Sequence, residues 1–273
     1  MTSLPTSGLQ MRTLVTADGE LKLTLEDTPV AAPKADEVVV KLEAAPINPS
    51  DLGLLLGPAD PATVKSVGTA DAPALSLRIS EERLRAVAAR IGESLPIGNE
   101  GAGTVIAAGE SPAAQALLGK KVGILGGAMY AQYRTLRVQD CLELPEGASA
   151  ADGASCFVNP LTALSMVEVM KLEGHTALVH TAAASNLGQM LNRICLMDGV
   201  PLVNVVRSAE QVALLKSQGA VHVCNMSDPD FMKQLITALD ATGATLAFDA
   251  VGGGKLANQI LTAMESVAST REG

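Results

Sequence analysis

The 273-residue sequence predicts an α/β chain of two parts, an antiparallel β-rich first half and a doubly wound parallel sheet in the second. Three observations carry this. Segments alternating between apolar and polar residues fill positions 12–46. From about residue 150 the texture changes to short β-branched strands separated by helices of about 10–15 residues. Hydrophobic residues make up 48% of the chain against 18% charged, enough to fill two packed cores. The parts are therefore placed at 1–150 and 151–273.

In the first part, Arg12-Thr-Leu-Val-Thr-Ala, Glu20-Leu-Lys-Leu-Thr-Leu and Glu37-Val-Val-Val-Lys-Leu-Glu read as strands, punctuated by Gly19 and the proline-rich stretch 29–33. Asn48-Pro49-Ser50-Asp51 opens a short helix, since proline fits a first turn and Asp51 favours the dipole. Residues 57–79, rich in Pro, Ala, Asp and Gly, read as loop. Ser80 then caps a helix in which Leu84, Val87 and Ile91 recur at helical spacing. Strands are expected over 103–108, 121–125 and 130–138. In the second part, helices over 161–170, 186–197, 209–218, 230–239 and 255–267 alternate with strands over 177–180, 201–206, 221–224 and 245–249. This alternation means parallel units with right-handed crossovers.

Composition narrows the function. Aromatics are 2% of the chain, too few for the stacking platforms that hold single-stranded nucleic acid. A net charge of −9, spread over both halves, further excludes a phosphate-backbone partner. Residues 1–10 have no apolar signal-peptide core, and no run approaches the length of a membrane span, so the chain reads as cytoplasmic with no membrane partner. Cys141, Cys156, Cys195 and Cys224 lie far apart with no C-x-x-C spacing, so no zinc knuckle or redox dithiol is signalled.

The clearest site chemistry lies in Leu178-Val-His-Thr-Ala-Ala-Ala-Ser-Asn-Leu-Gly-Gln-Met-Leu. A phosphate binds where a parallel strand turns into a helix, because free N–H groups and the helix dipole converge there. The glycine pattern of such turns appears here as Ala183-x-Ser185-x-x-Gly188. Small residues still allow close backbone approach, and Gly188 lets the helix pack on its strand. A purely structural turn would look much the same. The end of the next strand tips the reading, because Arg207 and Ser208 stand where a carboxylate would bind a ribose diol. An arginine fork beside a hydroxyl suits a 2′-phosphate, which points to NADPH rather than NADH. Phe248-Asp-Ala-Val-Gly-Gly-Gly ends the fourth strand on the ligand-binding edge of such a sheet, though it could equally be a flexible turn.

Together with this turn, five further motifs in order resemble the medium-chain dehydrogenase/reductase superfamily, in its zinc-free quinone oxidoreductase and enoyl reductase branch. They are Ala45-Pro-Ile-Asn-Pro-Ser-Asp, Gly98-Asn-Glu-Gly-Ala-Gly-Thr-Val, Gly126-Gly-Ala-Met-Tyr-Ala-Gln-Tyr, Asn159-Pro-Leu-Thr-Ala and Phe248-Asp-Ala-Val-Gly-Gly. The resemblance covers about residues 10–268. It implies a chaperonin-10-like β domain followed by a Rossmann sheet, with the cofactor in the cleft between them. It implies that Asn159 and Thr162 approach the nicotinamide and that Ala183, Ala184, Ser185, Asn186, Leu187 and Gly188 meet the pyrophosphate. Arg207 and Ser208 would meet the adenosine phosphate, and Ala250, Val251 and Gly252 the nicotinamide side. Asn48 and Asp51 would lie at the substrate end, though both could equally be helix caps. Tyr130 is the remaining phenol there, and it could equally be a packing residue.

Departures from the family pattern sharpen the expectation. Zinc-dependent relatives carry Cys and His where this chain has Asn48 and Asn99, and amides cannot replace those ligands, so no metal is expected. The tyrosine common after the Asn-Pro-x-Asp motif is missing at Gly57-Pro58-Ala59, which leaves the proton donor open. Residues 59–94 form an insertion expected to reshape or cover the substrate mouth. The family continues beyond a fourth Rossmann strand and one helix. This chain therefore reads as truncated, with its fourth strand at an uncovered edge, the apolar face of 260–267 exposed and the family's usual homodimer in question. The expected activity is hydride transfer from NADPH to a small-molecule acceptor, a quinone or α,β-unsaturated carbonyl. A catalytically silent NADPH-binding protein and a non-functional remnant are the alternatives.

Overall fold

The computed structural model describes residues 4–271, and it divides into two compact units between Val158 and Asn159. Both architectures are those expected from the sequence: antiparallel sheets in the first unit, a parallel doubly wound sheet in the second.

The first unit contains strands β1 (Ser7–Val15), β2 (Glu20–Pro29), β3 (Glu37–Ala44), β4 (Lys65–Ser66), β5 (Ala74–Arg78), β6 (Ser94–Pro96), β7 (Glu100–Ala108), β8 (Lys121–Leu125), β9 (Tyr133–Arg137) and β10 (Cys141–Glu143). Short helices α1 (Leu52–Leu55), α2 (Glu81–Ala86), α3 (Pro112–Leu117) and α4 (Ala150–Gly153) join them. The strands form two five-stranded sheets, ordered β4-β5-β2-β1-β6 and β10-β8-β7-β3-β9. Val38, Val40, Val105, Val122 and Ile124 bury the inner face of the second sheet, as their period-two spacing requires. Val15, Leu21, Leu77 and Ile79 form a smaller core on the first.

Two expectations fail in this unit. Residues 57–79 are not simply loop, because Ala74-Leu-Ser-Leu-Arg forms β5, paired antiparallel with β2 in the register Leu23↔Leu75 and Leu21↔Leu77. The run is too short and too close to Pro73 to declare itself without its partner strand. The helix capped by Ser80 stops at Ala86 and continues as a single 3₁₀ turn, Ala88–Arg90. Leu84 and Val87 reach the core, while Ile91 stays 36% exposed.

The second unit is built from α5 (Val158–Leu172), which begins at the junction, β11 (Leu178–His180), α6 (Asn186–Asp198), β12 (Leu202–Val206), α7 (Ala209–Ser217), β13 (His222–Asn225), α8 (Phe231–Thr242), β14 (Leu246–Phe248) and α9 (Leu256–Arg271). All four strands are parallel, in the order β13-β12-β11-β14. Helices cover both faces, which is why every residue of β12 is buried and its sequence shows no alternation. Leu178, Leu191, Cys195 and Leu202 pack with Ala163, Val167 and Met170 of α5 on one face. Val179, Val203, Val205, Leu235 and Leu239 pack on the other.

The predicted exposure of 260–267 is corrected. Ile260, Ala263 and Val267 are buried, because α9 returns on the α8 side of the sheet and lays that face into the same core. Among the described residues β14 is indeed an edge strand. The stretch 150–172 is, by length and composition alone, long and apolar enough to cross a membrane, contrary to the sequence expectation. In the fold it is two helices, α4 and α5, parted by a turn, and α5 buries Ala163, Val167 and Met170 in the sheet core.

Candidate functional site

The site in the second unit is built by the turn leaving β11. Thr181 is fully buried, Ala182 takes a left-handed φ of 51°, and Ser185 has the extended backbone of a helix N-cap. The Ser185 hydroxyl accepts the Gly188 N–H at 3.1 Å. A Cβ at Gly188 would collide with the Ala183 carbonyl oxygen, so this glycine is what lets the helix start so close to its strand. The amides of Asn186 and Leu187, in the first turn of α6, have no acceptor within the helix and carry its positive dipole end. Ala183 is fully buried with Val206, Leu215 and Ala220, so its methyl fills core space, not ligand space.

Beside this turn lies a cavity of about 660 Å³, lined among others by Ala184, Ser185, Arg207, Gln211, Ser227 and Val251. Arg207 follows β12, with its main chain gripped from both sides. Its N–H donates to Gln211 Oε1 at 3.0 Å, and its carbonyl accepts the Ser227 hydroxyl at 2.8 Å. The guanidinium is exposed and forms no ion pair among the described residues. Ser208 caps α7 by accepting the Gln211 N–H at 3.4 Å, and it does not line the cavity. Ala250, Val251 and Gly252 lie exposed after β14, on the opposite side of β11 from Arg207. Asn159 and Thr162 stand in the first turns of α5, half-buried and exposed respectively. Small side chains at 182–185, unspent helix amides and an unpaired arginine fit a phosphorylated dinucleotide.

Under the same turn sits His180, fully buried on the central strand. Neither ring nitrogen has a hydrogen-bond partner among the described residues. Burial pushes the imidazole below its ordinary 6.5, outweighing support from the Phe248 main chain and Asp249. The unfolded chain therefore binds a proton that the native state refuses. Stability from this group is complete above its ordinary value of 6.5 and is lost as pH falls from there toward its lowered native value. The thermal midpoint of the native protein should fall as pH drops below about 6.5, and His180→Leu should flatten that slope. An unchanged slope in the variant would assign the acid sensitivity elsewhere.

The first unit gathers Asn48, Asp51 and Tyr130, with Asn48 and Asp51 almost fully buried. Asp51 is not a side-chain helix cap. Its Oδ2 accepts the Asn48 N–H at 2.8 Å and its Oδ1 the Asn99 N–H at 3.0 Å. The Tyr130 hydroxyl donates to the Pro46 carbonyl at 2.8 Å. Burial, then the Asp51 charge, pushes this phenol up to about 12, so it stays protonated.

One member of this cluster is not singled out by sequence reasoning. Glu100 is fully buried, its Oε1 accepts Asn48 Nδ2 at 2.8 Å, and its Oε2 accepts the N–H groups of Phe157 and Val158 at 2.8 and 3.0 Å. The available signal was a lone acid in a glycine-rich strand, Gly98-Asn-Glu-Gly-Ala-Gly. Among the described residues no three His, Cys, Asp or Glu side chains converge as metal ligands. The insertion adds β4 and β5 to the β2 edge, and Arg83 and Arg90 reach the carbonyls of Pro58 and Gly53 just past Asp51. Its own apolar cavity, about 550 Å³, is lined by Met11, Leu23, Leu25 and Leu75 and by no predicted site residue.

No protein-family model matches the chain. It is 27% identical over 241 residues to the human mitochondrial enoyl-[acyl-carrier-protein] reductase, a match covering 84% of this chain and 56% of that enzyme. The chain thus spans little more than half the length of this curated relative. Among solved structures it is similar to a Mesorhizobium loti protein assigned as an NADPH:quinone reductase, with 29% identity and a TM-score of 0.69 over 96% of this chain and 72% of that one. A mycobacterial protein solved with NADPH shares the fold at 20% identity and a TM-score of 0.62, over 93% of this chain and 69% of that one.

Proposed function

We propose that the chain belongs to the medium-chain dehydrogenase/reductase superfamily, in its zinc-free quinone oxidoreductase and enoyl reductase branch, and that it reduces quinones or α,β-unsaturated carbonyl compounds with NADPH and no metal, a reading its similarity to enoyl reductases and to an NADPH:quinone reductase supports. The observation that carries this reading is the cavity beside the β11–α6 turn, lined in part by Arg207, which is exposed and forms no ion pair among the described residues. When bound, NADPH supplies the hydride.

The chain's own residues bind and orient. Arg207 offers a planar fork to the 2′-phosphate, its backbone fixed by Gln211 and Ser227. The Asn186 and Leu187 amides face the pyrophosphate with the α6 dipole behind them. Asn159, Thr162 and the segment Ala250, Val251 and Gly252 serve the nicotinamide end. Asn48, Asp51 and Tyr130 are the residues of the first unit that this reading assigns to the acceptor. Tyr130 O–H, held protonated, is available to hydrogen-bond a carbonyl oxygen that gains negative charge, exchanging the Pro46 carbonyl for it.

The test is NADPH consumption by the purified protein with a panel of quinones, enones and an enoyl thioester. Saturable NADPH binding with turnover of quinones or enones is expected. Binding without turnover of any acceptor would reduce the protein to a silent NADPH binder, and no binding would overturn the reading.

A further inference from the structure

The strand order β13-β12-β11-β14 places Arg207 one strand to one side of the phosphate turn and Asp249 one strand to the other. A dinucleotide with its 2′-phosphate at Arg207 and its diphosphate over the start of α6 must extend toward β14. What it meets there is the segment Ala250–Val251–Gly252, which leads into Gly253 and Gly254. Gly252 and Gly254 both adopt left-handed φ angles, 65° and 68°. Such a run has many accessible conformations, and nothing in its own sequence selects one.

Two side chains select it. The fully buried Thr181 donates its hydroxyl to Asp249 Oδ1 at 2.7 Å and accepts the Ala250 N–H at 2.8 Å. Asp249 in turn accepts the Val251 N–H at 2.9 Å and the Gly252 N–H at 3.3 Å. The Thr181 N–H also donates to the Phe248 carbonyl at 3.2 Å. The hydrogen bond from Thr181 holds the Asp249 carboxyl below its ordinary range, so it remains an acceptor at neutral pH. An aspartate turn alone would need only the bonds to Val251 and Gly252. The two bonds to Thr181 do something more, since they tie the segment to the first residue of the phosphate turn itself.

We propose that Thr181 and Asp249 are positioning residues that fix the 250–252 segment as the rest for the nicotinamide half of NADPH, an inference that rests on the cofactor reading above. The pair spans 68 positions of sequence, and neither residue need touch the cofactor. Their role is to set the height and register of the segment relative to the diphosphate.

The test compares two ligands that differ only beyond the diphosphate. Thr181→Val and Asp249→Asn are titrated with NADPH and with 2′-phospho-ADP-ribose, which lacks the nicotinamide. NADPH should bind about tenfold more weakly to Thr181→Val, the weight of a hydrogen bond lost from an ordered site, with 2′-phospho-ADP-ribose unchanged. Asp249→Asn should show the same selective loss, and Thr181→Ser, which keeps the hydroxyl, should restore NADPH binding. Equal weakening of both ligands, or of neither, would overturn the proposal. Wild-type protein that binds neither ligand would overturn the NADPH reading, and this inference with it.

Discussion

Glu100→Ala should cost about 3–5 kcal/mol of stability, because three N–H donors that meet one buried carboxylate lose their acceptor together. Among the described residues the Glu100 carboxyl has no cationic partner within salt-bridge distance, and it is fully buried. Hydrogen bonds from an amide and two main-chain N–H groups satisfy both of its oxygens there. Glu100 thereby holds the Asn48 side chain and the main chain of Phe157 and Val158 at once, all within the first unit. Glu100→Gln, which keeps one acceptor oxygen and the volume, should cost less than half as much. Thermal unfolding should register the alanine variant as a midpoint lowered by about 10 °C, at roughly 2–4 °C per kcal/mol for a unit of this size. A loss below about 1 kcal/mol would mean that water replaces the carboxylate freely and that the cluster is not sealed.

Gly188→Ala is expected to destabilise the second unit by about 3 kcal/mol, although alanine is the better helix former. The added methyl would meet the Ala183 carbonyl oxygen, which belongs to the backbone and cannot rotate away. Either α6 lifts off β11 or the turn opens. Both movements disturb the Ser185 cap and the cavity wall made by Ala184 and Ser185. The variant should therefore lose dinucleotide affinity as well as stability. Its circular dichroism and urea unfolding midpoint give the first effect, and a NADPH titration of the folded fraction gives the second. A variant as stable as the native protein would show that the close approach of α6 is relaxed in solution.

The second unit was legible in the sequence because each strand is short, β-branched and flanked by a helix with its own caps. Local pattern and element type agree at every step there. Two things were not legible. β5 depends on pairing with β2, and five residues beside Pro73 carry too little pattern to predict a strand without that partner. The side of the sheet to which α9 returns is a tertiary choice, and the sequence shows only that α9 has an apolar face.

The candidate site divides in the same way. The close packing at Gly188 and the cap at Ser185 were readable because they follow from a local strand–turn–helix pattern, and the same pattern puts Arg207 at the end of the next strand. Glu100, Ser227 and the Thr181–Asp249 pair act across separations of 20 to 68 residues, where no local rule reaches. Asn48 and Asp51 were readable as a motif, but their bonding to Asn99 and Glu100 emerged only when the second sheet closed.

In the function proposed above, Arg207 makes this chain selective for a 2′-phosphorylated dinucleotide. Parallel fluorescence titrations of NADPH and NADH against native protein and Arg207→Ala test it most directly. Native protein should bind NADPH well above NADH, and the variant should lose about ten- to a hundredfold in NADPH affinity, the value of a charge-assisted phosphate contact, with NADH unchanged. Equal affinity for the two cofactors in the native protein, or an NADPH preference that survives Arg207→Ala, would contradict the account.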